Sequence, residues 1–282
     1  MENPTARAHS GAALPNAYFA PGSSFVDFVR AAAPELLPGN RAMPEGQVGH
    51  PPHGTTVVAL KYRGGVLLAG DRRATAGNLI VQRDIEKVFT ADAYSAVAIA
   101  GTAGIALELV RLFTVELQHY EKIHGVSLSL EGKANQLSNM IRGNLELAMA
   151  GLAVVPLFVG IDVDSNGTEW PGRIFNYDVT GGRYEEHGSY HAVGSGSLFA
   201  KSALKKRHER DVDEDTAIRN AVEALYDAAD DDTATGHPDL ARKIYPVIVT
   251  ITPEHGAVRL TDERAASVAE SVVAGRRDNP GG

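Results

Sequence analysis

Gly54-Thr55-Thr56-Val57-Val58-Ala59-Leu60-Lys61-Tyr62 is where the chain changes character. From Thr55 on, β-branched and apolar residues read as a strand over 55–62. Arg63-Gly64-Gly65 then turns it back into a second apolar run at 66–71, a hairpin signal. Upstream, residues 1–54 are rich in Pro, Gly and Ala and end in Gly49-His50-Pro51-Pro52-His53-Gly54. The Pro-Pro pair disfavours both helix and ladder and marks a linker. Within that leader only 24–37 carries a helical pattern, with Ser23 or Ser24 as its cap and Pro34 set to kink or shorten it.

Working outward from the hairpin, shorter strand-like runs at 79–82 and 86–90 lead to a strand at 94–100. Helical periodicity follows at 103–123 and 130–150, strands at 155–162, 173–178 and 189–193, and helices at 197–209 and 213–230. A strand at 244–252, a short run at 257–260, a helix over 262–275 and a frayed tail from Arg276 complete the reading. Strands, two helices, strands, two helices, strand is an α+β order. No internal repeat or low-complexity block interrupts 55–282.

The bulk numbers narrow the function. A chain of 282 residues can bury a full core, and removal of the first 54 leaves 228, one domain's worth. A net charge of −8 argues against a nucleic-acid surface or an anionic membrane surface. Zero cysteines exclude disulfides, thiolate metal sites and a cysteine nucleophile, and permit a reducing cytoplasm. No run approaches the ~20 apolar residues of a membrane span, and no secretory signal pattern opens the chain. The histidines show no metal-ligand spacing, and the sequon at Asn166-Gly167-Thr168 has no meaning without secretion.

Chemistry enters at Thr55. A cut between Gly54 and Thr55 would place a hydroxyl and a free α-amine on one residue, bringing nucleophile and base together without a histidine. An α-amine titrates near ~7.7–8.0, so a useful fraction is unprotonated around neutrality. Asp71 lies sixteen residues after Thr55, in Gly70-Asp71-Arg72-Arg73-Ala74-Thr75, and Lys87 lies sixteen further on, in Glu86-Lys87-Val88-Phe89. Ala100-Gly101-Thr102-Ala103-Gly104 then separates an apolar strand from a helix. Taken singly, each piece has a plainer reading. Lys87 is then an exposed strand lysine, Asp71 a turn aspartate and Gly101 a strand-to-helix turn. Gly194-Ser195-Gly196-Ser197 is then a helix N-cap, and Asp230-Asp231-Asp232-Thr233-Ala234-Thr235-Gly236 a solvated acidic helix end.

In combination, the order and spacing of these pieces resemble the β subunits of the 20S proteasome, over essentially all of 55–270. The resemblance implies the four-layer αββα sandwich of the N-terminal-nucleophile hydrolases. It also implies a propeptide, 1–54, removed by self-cleavage from a catalytic domain, 55–282. By the same resemblance Thr55 is the nucleophile, Lys87 the positive charge beside it and Asp71 the partner that holds the lysine. Gly101 supplies the oxyanion N–H, and Ser195, Asp232 and Thr235 complete the hydrogen-bond shell, although the family most often has serine where this chain has Thr235. Thr75 and Ala103 would bond an extended peptide through their backbones. Ala74, Ile85, Ile99 and Ala103 would line the first specificity pocket, a small apolar set that favours hydrophobic side chains.

No metal or organic cofactor is required by this chemistry. The implied partners are a homo-heptameric β ring, outer rings of proteasome α subunits, an ATPase regulator, and unfolded or tagged protein substrates, all in the cytoplasm. The long leader is similar to those of actinobacterial members. Three alternatives remain at this point. A two-ring bacterial threonine protease shares the nucleophile and the lysine, but carries little propeptide and a Gly-Asp-Gly in place of this Gly-Asp-Arg-Arg-Ala-Thr. A noncatalytic ring subunit would lack one of the threonine, lysine and aspartate. An unrelated amidase of the same nucleophile class would have no need of a ring.

Overall fold

A computed structural model describes residues 24–34, 37, 54–162 and 168–280. The Pro-rich approach to Gly54 and the first two sequon positions lie outside the described residues. The hairpin expected after Gly54 is the centre of the molecule. Strand β1 (Thr56–Tyr62) pairs with β2 (Gly65–Gly70) in a register that sets Val57 against Gly70 and Tyr62 against Gly65. Strands β10 (Tyr190–Gly194), β11 (Val247–Thr252) and β12 (Gly256–Arg259) extend it to an antiparallel sheet of order β10-β1-β2-β11-β12. A second antiparallel sheet runs β5-β6-β7-β8-β9, from Val88–Asp92, Ser95–Gly101, Val154–Ile161, Gly172–Tyr177 and Arg183–Glu185. A two-stranded ribbon, β3 (Ala74–Ala76) with β4 (Leu79–Gln82), stands apart from both.

Both central strands are buried on both faces, so their apolar residues run continuously instead of alternating with polar ones. The two faces still go to different places, as the period of two demands. Val57, Ala59, Val66 and Leu68 point into a core shared with Ala96, Ala98, Leu157 and Val159 of the second sheet. Val58, Leu60, Leu67 and Ala69 face α5 (Ser197–Arg207), α6 (Glu214–Asp231) and α7 (Asp262–Asp278). The far side of the second sheet, through Val97, Phe158 and Phe175, packs on α2 (Ala103–His124) and α3 (Leu130–Gly143). Each fully buried Leu or Phe contributes about 1.5–3 kcal/mol. The layers are therefore helices, sheet, sheet, helices: the αββα sandwich.

Caps explain most helix starts. Ser129, Asp213 and Thr261 each accept the N–H of the third residue on, opening α3, α6 and α7. The expected single helix over 130–150 is two, α3 and α4 (Leu145–Met149). Asn144 breaks it, since its side-chain NH2 donates to the Met140 carbonyl at 3.0 Å in place of a helical N–H. The strand expected over 244–252 begins only at Val247, because Pro246 has no N–H to give. Ile244 pairs with Asp239 in an isolated bridge instead. The frayed tail expected from Arg276 is also corrected. Helix α7 continues to Asp278, and Arg276 is buried with its guanidinium 2.5 Å from Asp227.

In the leader, α1 (Phe25–Ala32) has Ser24 as its cap and stops before Pro34, with Ala33 forced out of the helical region. It docks on α2. Val26 and Val29 are buried, and the Val26 N–H donates 2.7 Å to the carboxylate of Glu116. Burial among these groups pushes the Glu116 carboxyl above its usual range.

Candidate active site

The sheet register brings the start of β1 between two loops. Asp71 follows the last residue of β2, and its N–H donates to the Thr56 carbonyl at 3.2 Å. On the other side Thr56 pairs with Gly194, so the turn after β10 lies over Thr55. Gly194 has φ +104°, and a Cβ there would collide with the Thr55 carbonyl, so only glycine fits. The Ser195 N–H then reaches that carbonyl at 2.9 Å.

Lys87 arrives from the other sheet, one residue before β5. It is not the exposed strand lysine of the plainer reading. Its side chain is 2% exposed, and Nζ lies 2.6 Å from Oδ1 of Asp71, which is 0% exposed. The aspartate is fully coordinated. Oδ1 also accepts the Thr56 N–H, and Oδ2 accepts the Arg73 and Gly236 N–H groups, each at 2.9 Å. A buried carboxylate with this many donors is fixed in position, and it fixes the ammonium in turn. Burial holds the Lys87 pKa below its ordinary value despite the attraction of Asp71.

The ammonium has a second acceptor, the carbonyl oxygen of Gly54, at 3.3 Å. That oxygen also accepts the Thr55 hydroxyl at 2.7 Å. Nucleophile candidate and lysine thus meet at one atom, the carbonyl oxygen of the residue before Thr55. Thr55 is itself 5% exposed. A side chain on Gly54 would run into the Thr75 hydroxyl and Ala234, so the chain threads tightly between them here.

A polar relay closes the other side. The Ser195 and Thr235 hydroxyls both donate to Oδ2 of Asp232 at 2.6 Å. The Thr56 hydroxyl accepts from the Gly196 N–H at 3.0 Å and lies 2.6 Å from the Thr235 hydroxyl. Because Thr235 donates to the carboxylate, Thr56 is the donor to Thr235, and the chain of protons has one direction. Ser195 is not the cap of α5; Gly196 holds that position without a side-chain bond.

Of the residues expected here, Thr55, Asp71, Lys87, Ser195, Asp232 and Thr235 form one connected cluster. Gly101 ends β6 at φ +105° and is not a member of that hydrogen-bonded set. Ala74 and Thr75 are buried on β3, Ile85 and Ala103 are half-buried, and Ile99 packs into the core beneath α2. Its N–H donates to the Lys87 carbonyl at 3.0 Å. Sequence reasoning missed Thr56, Gly196 and Gly236. Each adjoins a residue that was chosen, and adjacency was the only signal.

A family model described as proteasome subunit matches residues 52–239. The proteasome subunit beta of Saccharopolyspora erythraea is 67% identical over 283 residues, which covers 100% of this chain and 99% of that protein. That of Saccharomonospora viridis is 64% identical over 280 residues, with 97% of each covered. Proteasome subunit beta 1 of Rhodococcus erythropolis is 61% identical over 271 residues, 92% of this chain and 91% of that one.

Proposed function

This chain belongs to the proteasome subunit family as a proteolytic β subunit, and we propose that Thr55 is its nucleophile, unmasked when the bond after Gly54 is cut. The observation that carries this reading is the Gly54 carbonyl, held at once by the Thr55 hydroxyl and the Lys87 ammonium. An ammonium donating to a carbonyl oxygen draws electrons from its carbon and stabilises the oxyanion that attack creates. The Thr55 oxygen adds to the Gly54 carbon, the Gly54–Thr55 C–N bond breaks, and the hydroxyl proton ends on the leaving nitrogen. The product is an ester on Thr55 and a new α-amine. Water then cleaves the ester, leaving Gly54 as a carboxylate and residues 1–54 as a released propeptide.

In the mature chain the same oxygen attacks a peptide carbonyl, with the new amine as base and Lys87 as the fixed charge. Gly101 offers its N–H to the oxyanion. The relay of Ser195, Asp232, Thr235 and Thr56 holds the Thr55 backbone and the amine in place. Thr75 and Ala103 bind the substrate as an added strand, with Ala74, Ile85, Ile99 and Ala103 forming the first pocket. No cofactor takes part. The subunit assembles in proteasome rings with α subunits. A homo-heptameric β ring, an ATPase that feeds it unfolded or tagged proteins, and a cytoplasmic location complete the proposal. Among the described residues no helix is long and apolar enough to cross a membrane.

The test is intact mass and N-terminal sequence after incubation with α subunits, beside a Thr55→Ala control. A new N-terminus at Thr55 in the wild type alone is expected. An uncut wild-type chain, or the same cut in the control, overturns the assignment.

A further inference from the structure

Asp71 also borders a cavity of about 150 Å³ that the proteolytic reading does not use. It opens between the Asp71–Arg73 turn, the end of the β3–β4 ribbon and the segment 236–246. Four arginines line it, Arg72, Arg73, Arg83 and Arg242. Among the described residues only Arg242 of these four forms an ion pair, with Asp239 at 2.7 Å. The other acid of the wall, Asp71, is fully engaged by Lys87 and three backbone N–H groups. His237 in the same wall is turned to Asp230 at 2.7 Å.

The remaining three form no ion pair among the described residues, although Glu86 attracts Arg72 at longer range. Arg72 donates to the Ile85 and Asp84 carbonyls at 2.9 and 2.6 Å, and Arg73 to the Thr233 carbonyl at 3.0 Å. Those partners are neutral, and each guanidinium has further N–H groups to give. Arg83 makes no ion pair or hydrogen bond among the described residues and is exposed. Like charges gathered round a hollow repel one another, and an anion at their centre converts that repulsion into attraction. The cluster is notable in a chain whose net charge is −8.

We infer that this cavity is a binding site for a small free oxyanion of the phosphate class, held by Arg72, Arg73 and Arg83. Its volume suits such an ion with a few waters, each taking about 30 Å³. It is well short of the roughly 300–1,000 Å³ that drug-sized and cofactor-sized ligands occupy. Planar guanidinium forks match the oxygens of a tetrahedral anion in pairs, which lysine ammoniums do not. The site is also coupled to Lys87, because the charge on Arg73 is one of the influences that lower the Lys87 pKa. A bound anion offsets that charge and moves Lys87 back upward.

The test titrates inorganic phosphate into the full-length chain at constant ionic strength, with chloride as the balancing ion, and follows Tm and the heat of binding. A saturable rise in Tm is expected. Arg83→Gln should weaken binding about tenfold, the worth of one charge-assisted contact, while Arg83→Lys retains part of it. Arg83 is exposed and outside the proteolytic cluster, so both variants fold. A rise that never saturates, or one that Arg83→Gln leaves unchanged, is general salt exclusion and overturns the site. The binding measurement does not involve Thr55, so its outcome is independent of the proteolysis test.

Discussion

Replacing Asp71 by Asn removes one charge from the centre of the site with almost no change in volume. The four groups bonded to the carboxylate are all donors: Lys87 and the Thr56 N–H on one oxygen, the Arg73 and Gly236 N–H groups on the other. An amide has one acceptor oxygen, so in either orientation its NH2 faces two donors and two bonds are lost. If the backbone pair loses its acceptor, two part-buried N–H groups are orphaned at about 1–3 kcal/mol each. If the amide flips, the buried Thr56 N–H is orphaned at about 1–3 kcal/mol and the Lys87 ammonium keeps only the Gly54 carbonyl, a broken buried ion pair costing about 3–5 kcal/mol more. The first route is the cheaper and sets the expected cost at ~4 kcal/mol. With a urea m-value of ~3 kcal/mol/M, that is a fall of ~1.3 M in the unfolding midpoint. The assay is urea unfolding of the full chain in a Thr55→Ala background, so that the proposed processing does not change the species measured. Repeating it with Lys87→Met isolates the pair, and the two substitutions together should cost ~2 kcal/mol less than their sum. A midpoint shift under ~0.3 M, or strict additivity with Lys87→Met, would refute the fully engaged carboxylate.

Two further outcomes follow from the same geometry. Gly194→Ala forces a side chain onto the Thr55 carbonyl at a left-handed φ, so it should abolish the proposed cut at Gly54 and lower stability by about 2 kcal/mol or more. Intact mass and thermal unfolding report the two effects, and normal processing in the variant would sink the tight turn over Thr55. Burial also holds the His208 and His191 imidazoles below the ordinary 6.5, although Glu186 pulls His191 the other way. The unfolded chain therefore takes up protons that the folded protein resists. Stability should be full above pH ~6.5 and decline as pH falls from there toward the folded values. Urea midpoints at pH ~7.5 and ~5.5 should differ, and His208→Gln should flatten the difference; equal wild-type midpoints would contradict it.

Local pattern carried the elements where side chains alone set the backbone. The β1–β2 hairpin, with its Gly64-Gly65 turn, and the capped helices α3, α6 and α7 are examples. It failed where one residue overrode periodicity. Asn144 took a helical carbonyl for its own side chain, Pro246 withheld an N–H from the ladder, and Arg276 found Asp227 across the fold. Strands β3 and β9 span three residues each, too short for a period to register.

The site divides along the same line. The sequence by itself determined the chemical inventory: a Gly-Thr junction at a change of composition, an aspartate and a lysine at even spacing, and two later hydroxyl- and acid-bearing loops. Only the tertiary structure decided what those groups are to one another. Lys87 is an ordinary strand lysine until the second sheet presses it against Asp71, and Thr56 is an ordinary strand residue until Gly196 and Thr235 close on its hydroxyl. Thr56 and Thr235 are 179 positions apart in the chain and 2.6 Å apart in space. Burial and convergence of this kind arise from sheet packing and register, which join distant segments, and no local pattern of residues encodes them.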